Sequence, residues 1–593
     1  MTDQFALDTL KEKAEEYIRW DPVVSTREEI SQLLKEEDWK ALERAIMHRL
    51  AFGTAGLRGR MGAGYNCMND LVVLQTAQGI CEYLLQQFGE DVKKRGVVVG
   101  YDHRALGDLS SKSFFLITAK VFQQKGIPVY GFNSFAFTPL VPFSISAYNC
   151  CAGIMITASH NPAADDGYKI YWENACQIIS PHDKNISACI QANLAPWTDY
   201  AAIPAEEPLA KMIDITESAV AKYMAYTTAL LHRNAPETNA RCPAVMYTAM
   251  HGVGGVFVRE LLSHFHLPPV RVVQAQLLPD PTFPTVAFPN PEEKGALKLA
   301  LEEADKEGVK YVFATDPDAD RFICAERGEK GWHVFKGDEI GAIFGYYMCT
   351  HTSGKRCLVN SVVSSRWFVR MGERLGVRCE QTLTGFKWMG NKQWELEKEG
   401  FKPLLTYEEA IGYAVGGVAR DKDGVSALAV MGEIVAELAT RGSGLLAYLE
   451  EIYQRFGYST TRNSYVISRD EAYTNAVFAR LRNGGNYLFK MGDYRVAAIR
   501  DLTTGYDSAQ EANGFRAVLP VDPASQMITF DFANGACLTL RTSGTEPKIK
   551  YYMEVMGEQK EECEKEADAM EKAMLSVVFD KKCVCLLQQE IEF

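Results

Sequence analysis

Long hydrophobic runs are missing from this chain: no stretch approaches the roughly eighteen apolar residues that a membrane span requires. The opening residues, Met1-Thr2-Asp3-Gln4-Phe5-Ala6-Leu7-Asp8, lack the basic-then-apolar order of a signal peptide. A surplus of positive charge is missing too. The formal net charge is −13 at pH 7, which argues against nucleic acid or an anionic membrane as a partner. No Gly-x-x-x-x-Gly-Lys-Ser/Thr loop occurs, which argues against a P-loop ATPase. Gly252-Val253-Gly254-Gly255 fails as a dinucleotide fingerprint, because Phe257 stands at the third glycine position. No Gly-x-Ser-x-Gly elbow surrounds Ser159, which leaves an esterase-type triad without support. Low-complexity tracts and short repeats are absent. The fifteen cysteines are scattered, with neighbours only at Cys150-Cys151 and Cys583-Val584-Cys585. Without a secretory pattern they read as reduced thiols, and the expectation is a cytoplasmic enzyme.

What is present is an ordinary globular composition, 47% hydrophobic and 23% charged over 593 residues, enough for about four domains. Residues 5–50 carry the pattern of two or three amphipathic helices, with a capping box expected at Thr26-x-x-Glu29. From about 95 onward, strand patterns at 96–101, 128–132 and 151–157 alternate with helical stretches such as 110–125, which predicts α/β units. Similar units recur at 244–249, 309–315 and 356–362. Proline-rich segments at 203–208 and 279–291 predict boundaries or long loops. From about 460 the pattern becomes α+β and ends in an acidic helix over 561–577.

Three clusters carry chemistry. The apolar run Cys151 to Thr157 stops at Ala158-Ser159-His160-Asn161-Pro162, where Asn-Pro forces a turn, so Ser159 is expected exposed at a strand end with His160 beside it. Neighbours on a strand point apart, so His160 need not be the base for Ser159. The second cluster, Asp316-x-Asp318-x-Asp320-Arg321, follows the apolar run 311–314. Carboxylates at alternate positions of extended chain converge on one side and suit Mg²⁺. A calcium loop fails on its own pattern, with Arg321 at position six and Arg327 at position twelve. The third, Arg541-Thr542-Ser543-Gly544-Thr545 followed by Lys548, sits between two alternating strand patterns and offers donors suited to a phosphate. Together they describe phosphoryl transfer between a protein serine and a substrate that already carries another phosphate.

With those residues in place, the chain resembles the α-D-phosphohexomutase family over nearly its whole length. Within it the similarity points to the eukaryotic phosphoglucomutase-2/phosphopentomutase branch, which includes a glucose-1,6-bisphosphate synthase. The serine, metal and phosphate motifs occur in the family's order. Phe52-Gly53-Thr54-Ala55-Gly56-Leu57-Arg58-Gly59 is similar to its N-terminal arginine loop, and Glu408-Glu409-Ala410-Ile411-Gly412-Tyr413 to its sugar-recognition loop. The resemblance implies an α/β fold of four domains around a central cleft: 1–210 with the phosphoserine loop, 211–328 with the metal loop, 329–455 with the sugar loop and an α+β domain, 456–593, with the phosphate loop.

It implies a phosphate on Ser159 that passes to a bound sugar phosphate, giving a bisphosphate that flips and returns its other phosphate. Mg²⁺ would be held by Ser159, Asp316, Asp318 and Asp320, and glucose 1,6-bisphosphate would serve as activator. Lys169 is the first choice of general base, as a lysine in a cationic pocket has a lowered pKa; Lys422 is second, and either could be only a phosphate contact. Arg58 and His160 complete the catalytic set. Glu408, Glu409, Gly412, Thr384, Gly385, Lys387, Arg321, Arg541, Thr542, Ser543, Gly544, Thr545 and Lys548 are the expected substrate contacts. The expected partners are small sugar phosphates, with the chain a monomer or a dimer. Glucose 1-phosphate comes first as substrate, a pentose phosphate second and bisphosphate synthesis third. Ala410 and Ile411, where relatives carry more polar groups, weaken strict glucose specificity. A regulatory phosphoprotein without turnover is the remote alternative.

Overall fold

The computed structural model describes residues 2–579 apart from 54, 469, 524 and 544–546. The chain divides into two compact units, with breaks at Val359/Asn360, Thr384/Gly385 and Leu446/Ala447.

The first unit begins with three helices, Thr2–Trp20, Val24–Lys35 and Trp39–Ile46. Their inward residues Leu10, Ala14, Tyr17, Ile30, Leu42 and Ile46 join the same core as Val97 and Ile154 of the first sheet. The capping box expected at Thr26 does not form. Val23 precedes the second helix, and Thr26 lies within its first turn, its hydroxyl donating to Asp21 Oδ2 at 2.6 Å.

The first sheet comprises β1 (Gly56–Arg60), β2 (Val97–Tyr101), β3 (Val129–Gly131), β4 (Ala152–Ile156), β5 (Asp165–Trp172) and β6 (Ile213–Asp214), in the order β1-β5-β4-β2-β3-β6. β4, β2, β3 and β6 run parallel, whereas β1 and β5 are antiparallel neighbours at one edge. β2 and β4 are buried throughout, which is why they read as unbroken apolar runs and not as alternating ones. The helix Ser111–Gln124 follows β2, opened by a capping box between Ser110 and Ser113.

The second sheet comprises β7 (Val245–Thr248), β8 (Arg271–Val272), β9 (Tyr311–Thr315), β10 (Phe322–Gly328) and β11 (Gly331–Val334), ordered β8-β7-β9-β10-β11 with the first three parallel. A third sheet contains β12 (Arg356–Ser361), β13 (Lys402–Glu408) and β14 (Gly412–Val415), the last two joined as a hairpin. The helix Gly424–Thr440 follows, capped by Asp423, whose carboxylate accepts from the amides of Val425 and Ser426.

The second unit is built on β15 (Tyr458–Ile467), β16 (Tyr494–Asp501), β17 (Met527–Phe532), β18 (Cys537–Thr542) and β19 (Lys548–Gly557), in the order β15-β19-β18-β17-β16. Residues of the helices Glu471–Arg482 and Lys560–Val578 pack into one core with this sheet, as in the α+β expectation. Three α/β domains followed by a sheet-and-helix domain are therefore the architecture. Among the described residues no helix is long and apolar enough to cross a membrane.

Candidate active site

Ser159 and the three aspartates follow the carboxyl ends of two parallel strands, β4 and β9. Open α/β sheets place ligands there, because the loops leaving those ends face a common crevice. Ser159 is not exposed as expected from the sequence: it is 3% exposed. Its Oγ donates to Asp316 Oδ2 at 3.0 Å and lies 3.3 Å from His160 Nδ1. The reason is backbone conformation. Ser159 has φ of 56°, left-handed for a residue with a Cβ and outside the strand, so the alternation of a strand does not hold there and its Oγ meets the His160 ring.

The carboxylates also converge by a different route from the one read in the sequence. Residues 316–320 form a turn in which the Ala319 amide donates to the Asp316 carbonyl at 2.9 Å and Ala319 has φ of 54°. Curling the chain, and not strand alternation, brings the three side chains together. Their ligand atoms lie within 4.8 Å of one another and all three residues are fully buried. Lys169 Nζ donates to Asp318 Oδ2 at 2.8 Å and to Asp320 Oδ2 at 2.9 Å, and Lys422 Nζ lies 3.3 Å from Asp320 Oδ2. Thr138 reaches across from the first α/β domain, donating through its hydroxyl to Asp318 Oδ2 at 2.6 Å.

Burial and the two neighbouring carboxylates push Asp316 well above the usual carboxylate range. Burial acts the same way on Asp318, but the Lys169 ammonium outweighs it and holds Asp318 low. Burial pulls Lys169 down, yet Asp318 and Asp320 leave its pKa raised. Lys422 is raised likewise, chiefly by Asp320 and Asp421 against burial. The lowered lysine pKa expected from a cationic pocket is therefore reversed, because the pocket's carboxylates sit closer than its other cations. His160 goes the other way: burial, then Arg321 and Arg58, hold it well below the ordinary imidazole value, so it is neutral at pH 7.

The donor set fits a hard divalent cation. Asp318 Oδ1 and Asp320 Oδ1 are buried without a hydrogen-bond partner, which is costly unless something positive completes them. Asp316, Asp318 and Asp320, with Ser159 Oγ beside them, are the oxygens that would hold Mg²⁺.

The sugar loop closes one side. The hairpin of β13 and β14 pairs Glu408 with Gly412, and Ile411 is buried with φ of 52°. Arg321 Nη1 donates to the Ala410 carbonyl at 2.9 Å, which fixes this tip to the metal loop. A Cβ on Gly412 would lie 2.4 Å from Lys422 Cδ, so only glycine lets that lysine pass. Burial lifts Glu408 against the pull of Lys422 and Arg321. Arg58, on β1, donates to Asn161 Oδ1 at 3.3 Å. Lys387 is on the helix Phe386–Lys398, its Nζ 5.3 Å from the Trp388 ring, and Gly385 opens that helix with φ of 100°.

Thr384, Arg541, Thr542, Ser543 and Lys548 belong to the second unit. There, β18 and β19 carry the phosphate-loop residues. Arg541 Nη2 donates to the Tyr552 hydroxyl at 3.0 Å, and the Ser543 amide donates to the Lys548 carbonyl at 2.9 Å. Gly544 and Thr545 lie outside the described residues.

Several contributors were not read from the sequence. Arg104, only 1% exposed, donates from Nη1 to the carbonyls of Pro162 and Asp165 at 2.8 and 2.9 Å. From Nη2 it donates to those of Ser159 and Asn161 at 2.6 and 2.8 Å. Its own amide is held by Asp102, and both residues follow the carboxyl end of parallel β2, a position from which the sequence could have nominated them. Gly252, in the segment set aside as a failed fingerprint, is a packing site: a Cβ there would lie 2.3 Å from Pro317 Cα of the metal loop. Asp421 accepts from Tyr171 at 2.6 Å and Gln177 at 2.7 Å, and so sets the start of the Lys422 segment.

Models of "Phosphoglucomutase/phosphomannomutase, alpha/beta/alpha" domains I, II and III match residues 49–196, 221–330 and 336–456. A human protein named phosphopentomutase is 43% identical over 570 residues, covering 92% of this chain and 91% of the relative. A human glucose 1,6-bisphosphate synthase is 40% identical over 559 residues, covering 91% and 89%. The crystal structure of the Paramecium phosphoprotein pp63/parafusin shares the fold, with a TM-score of 0.67 at 19% identity, covering 89% of this chain and 94% of that one.

Proposed function

Because this chain belongs to the phosphoglucomutase/phosphomannomutase family, we propose that it interconverts a pentose 1-phosphate, ribose or deoxyribose, with the 5-phosphate through a phosphorylated Ser159. The protein is a phosphomutase, an intramolecular phosphotransferase acting on sugar phosphates. The observation that carries the reading is Ser159 Oγ, buried, 3.0 Å from Asp316 and beside two aspartates and two lysines. Pentose moves ahead of glucose, reversing the order read from the sequence, since relatives named phosphopentomutase align over nine-tenths of the chain. The sugar loop supports this: the Ala410 carbonyl is taken by Arg321 and the Ile411 side chain is buried in the core. Fewer loop groups then remain to read hydroxyls, which suits the smaller sugar.

In this scheme the Ser159 phosphate passes to the free hydroxyl of the bound sugar phosphate. The resulting bisphosphate turns over, and its other phosphate returns to Ser159. Mg²⁺, when bound, supplies positive charge to the phosphoryl oxygens. Lys169 and Lys422 hold the aspartates and face the same charge. The proton lost by the attacking sugar hydroxyl is taken up at Ser159 Oγ. Neutral His160, in contact with that oxygen, takes it off again when the serine is rephosphorylated, and the departing sugar oxygen receives it. Arg541, Ser543 and Thr545 remain the residues proposed to bind a phosphate. The domain boundaries at 210, 328 and 455 belong to this proposal. So does a cytoplasmic location, with the free thiols of the described cysteines in its support.

Glucose 1,6-bisphosphate synthesis is the second reading, favoured by the relatives of that name at 40% identity. The test compares kcat/KM for ribose 1-phosphate and glucose 1-phosphate, with Mg²⁺, a trace of glucose 1,6-bisphosphate and Ser159→Ala as control. Pentose preference is expected. A glucose preference reverses the substrate assignment, and activity surviving in Ser159→Ala removes the mechanism.

A further inference from the structure

The proline-rich segment seen in the sequence at 279–291 is one of the long loops expected there. No helix or strand interrupts 277–297, yet the segment is firmly built. Five of its residues are proline, which narrows the backbone choices. Asp280 caps the turn at Thr282, accepting from its amide at 2.9 Å and its hydroxyl at 2.7 Å. The Thr285 hydroxyl meets His251 Nε2 at 2.7 Å and Gln276 Nε2 at 2.8 Å. Phe283 is the anchor, 2% exposed, with its ring 5.5 Å from that of His103 and 5.4 Å from the Arg104 guanidinium carbon. Arg104 is the residue that clamps the serine loop, so the segment is fastened to the same bracket as Ser159.

Five residues beyond this anchor stands Phe288. Its ring centroid is 6.4 Å from that of His160 at 63°, an edge-on contact, and it remains 37% exposed. A large apolar ring left half in solvent costs hydration free energy, and here it stands against the imidazole that touches Ser159 Oγ.

We propose that Phe288 is a positioning residue that keeps water away from the Ser159 phosphate, so that this group goes to a sugar hydroxyl and is not hydrolysed. The inference rests on the phosphoserine reading above. A phosphoserine that meets water has a competing reaction. The water oxygen bonds to phosphorus as the phosphorus–Oγ bond breaks; one water proton ends on Ser159 Oγ and the other stays on the released phosphate. A mutase must suppress this branch while its sugar is absent or turning over. An apolar edge beside His160 does so by occupying the space a water would need to use that imidazole.

The experiment charges wild type, Phe288→Ala, Phe288→Gln and Phe288→Leu with radiolabelled glucose 1,6-bisphosphate. It follows label on Ser159, inorganic phosphate released without acceptor, and isomer formed with acceptor. For Phe288→Ala and Phe288→Gln the ratio of phosphate release to isomer formation rises about tenfold, with Phe288→Leu close to wild type. A structural role alone would lower both rates together and leave the ratio unchanged. Should Phe288→Ala not fold, Phe288→Gln carries the test alone. Label retained as long in the folded variants as in wild type overturns this inference only. Wild type that takes no label on Ser159 overturns the mutase reading and this inference with it.

Discussion

Replacing Arg104 with lysine separates the positive charge at this position from the planar fork that uses it. The guanidinium donates to four backbone carbonyls, those of Ser159, Asn161, Pro162 and Asp165, at 2.6 to 2.9 Å. A lysine ammonium on a flexible stem satisfies at most about two of them in that geometry. Hydrogen bonds from a charged donor contribute about 1.5–3 kcal/mol each, so losing two removes about 3–6 kcal/mol before the loop relaxes and water enters. Relaxation leaves about 3 kcal/mol as a working figure. Ser159 holds φ of 56° against an intrinsic preference of about 1–2 kcal/mol for right-handed backbone, so a loosened clamp lets it turn away from Asp316. Since 1.4 kcal/mol is tenfold, the competent conformation falls by up to about 100-fold. Turnover should drop about 10- to 100-fold with KM for the sugar phosphate within about threefold. The assay is steady-state turnover at saturating bisphosphate, with labelled phosphate on Ser159 counted per chain and melting followed in parallel. Turnover within about threefold of wild type, or activity lost only where the variant has unfolded, refutes the claim that this clamp aims the serine.

Gly252→Ala should push the metal loop away, because the added methyl would lie 2.3 Å from Pro317 Cα and 2.4 Å from its carbonyl oxygen. We expect about 1–3 kcal/mol of overpacking, read as a Mg²⁺ activation midpoint raised by about tenfold or more; an unmoved midpoint contradicts the packing account. Asp70, at the start of the helix Asp70–Phe88, is pushed up to about 7, first by burial and opposed by the Ser113 hydroxyl. A pKa raised on folding gives stability that is complete below pH ~4 and lost as pH rises through about 7. Asp70→Asn lacks this titration, so its melting temperature relative to wild type should climb between pH 4 and pH 8, by at most about 4 kcal/mol equivalent; a pH-independent difference counts against it.

The chemistry of the site was legible because its groups are contiguous. Ser159-His160, Asp316-x-Asp318-x-Asp320 and Arg541-Thr542-Ser543 each announce a role by residue type and spacing, and the α/β units show because buried strands read as apolar runs. Aspartate spacing pointed to converging carboxylates whichever backbone supplied them, so the three side chains gather although the extended chain expected there is a turn.

By itself, then, the sequence indicated the order of the α/β units and pointed to a serine, a carboxylate trio and a phosphate-donor loop as candidates, since each depends on neighbours along the chain. Only the tertiary structure decided that Ser159 is buried, that Lys169 and Lys422 pair with carboxylates and are raised, and that Arg104, Thr138 and Gly252 meet the serine and aspartate loops while the Phe288 ring meets His160. The physical reason is sequence distance. Thr138 meets Asp318, and Lys169 meets Asp320, across about 150 residues or more of chain. Hydrogen bonds and charges at that range act through space, and periodicity records only which face of a strand or helix is buried.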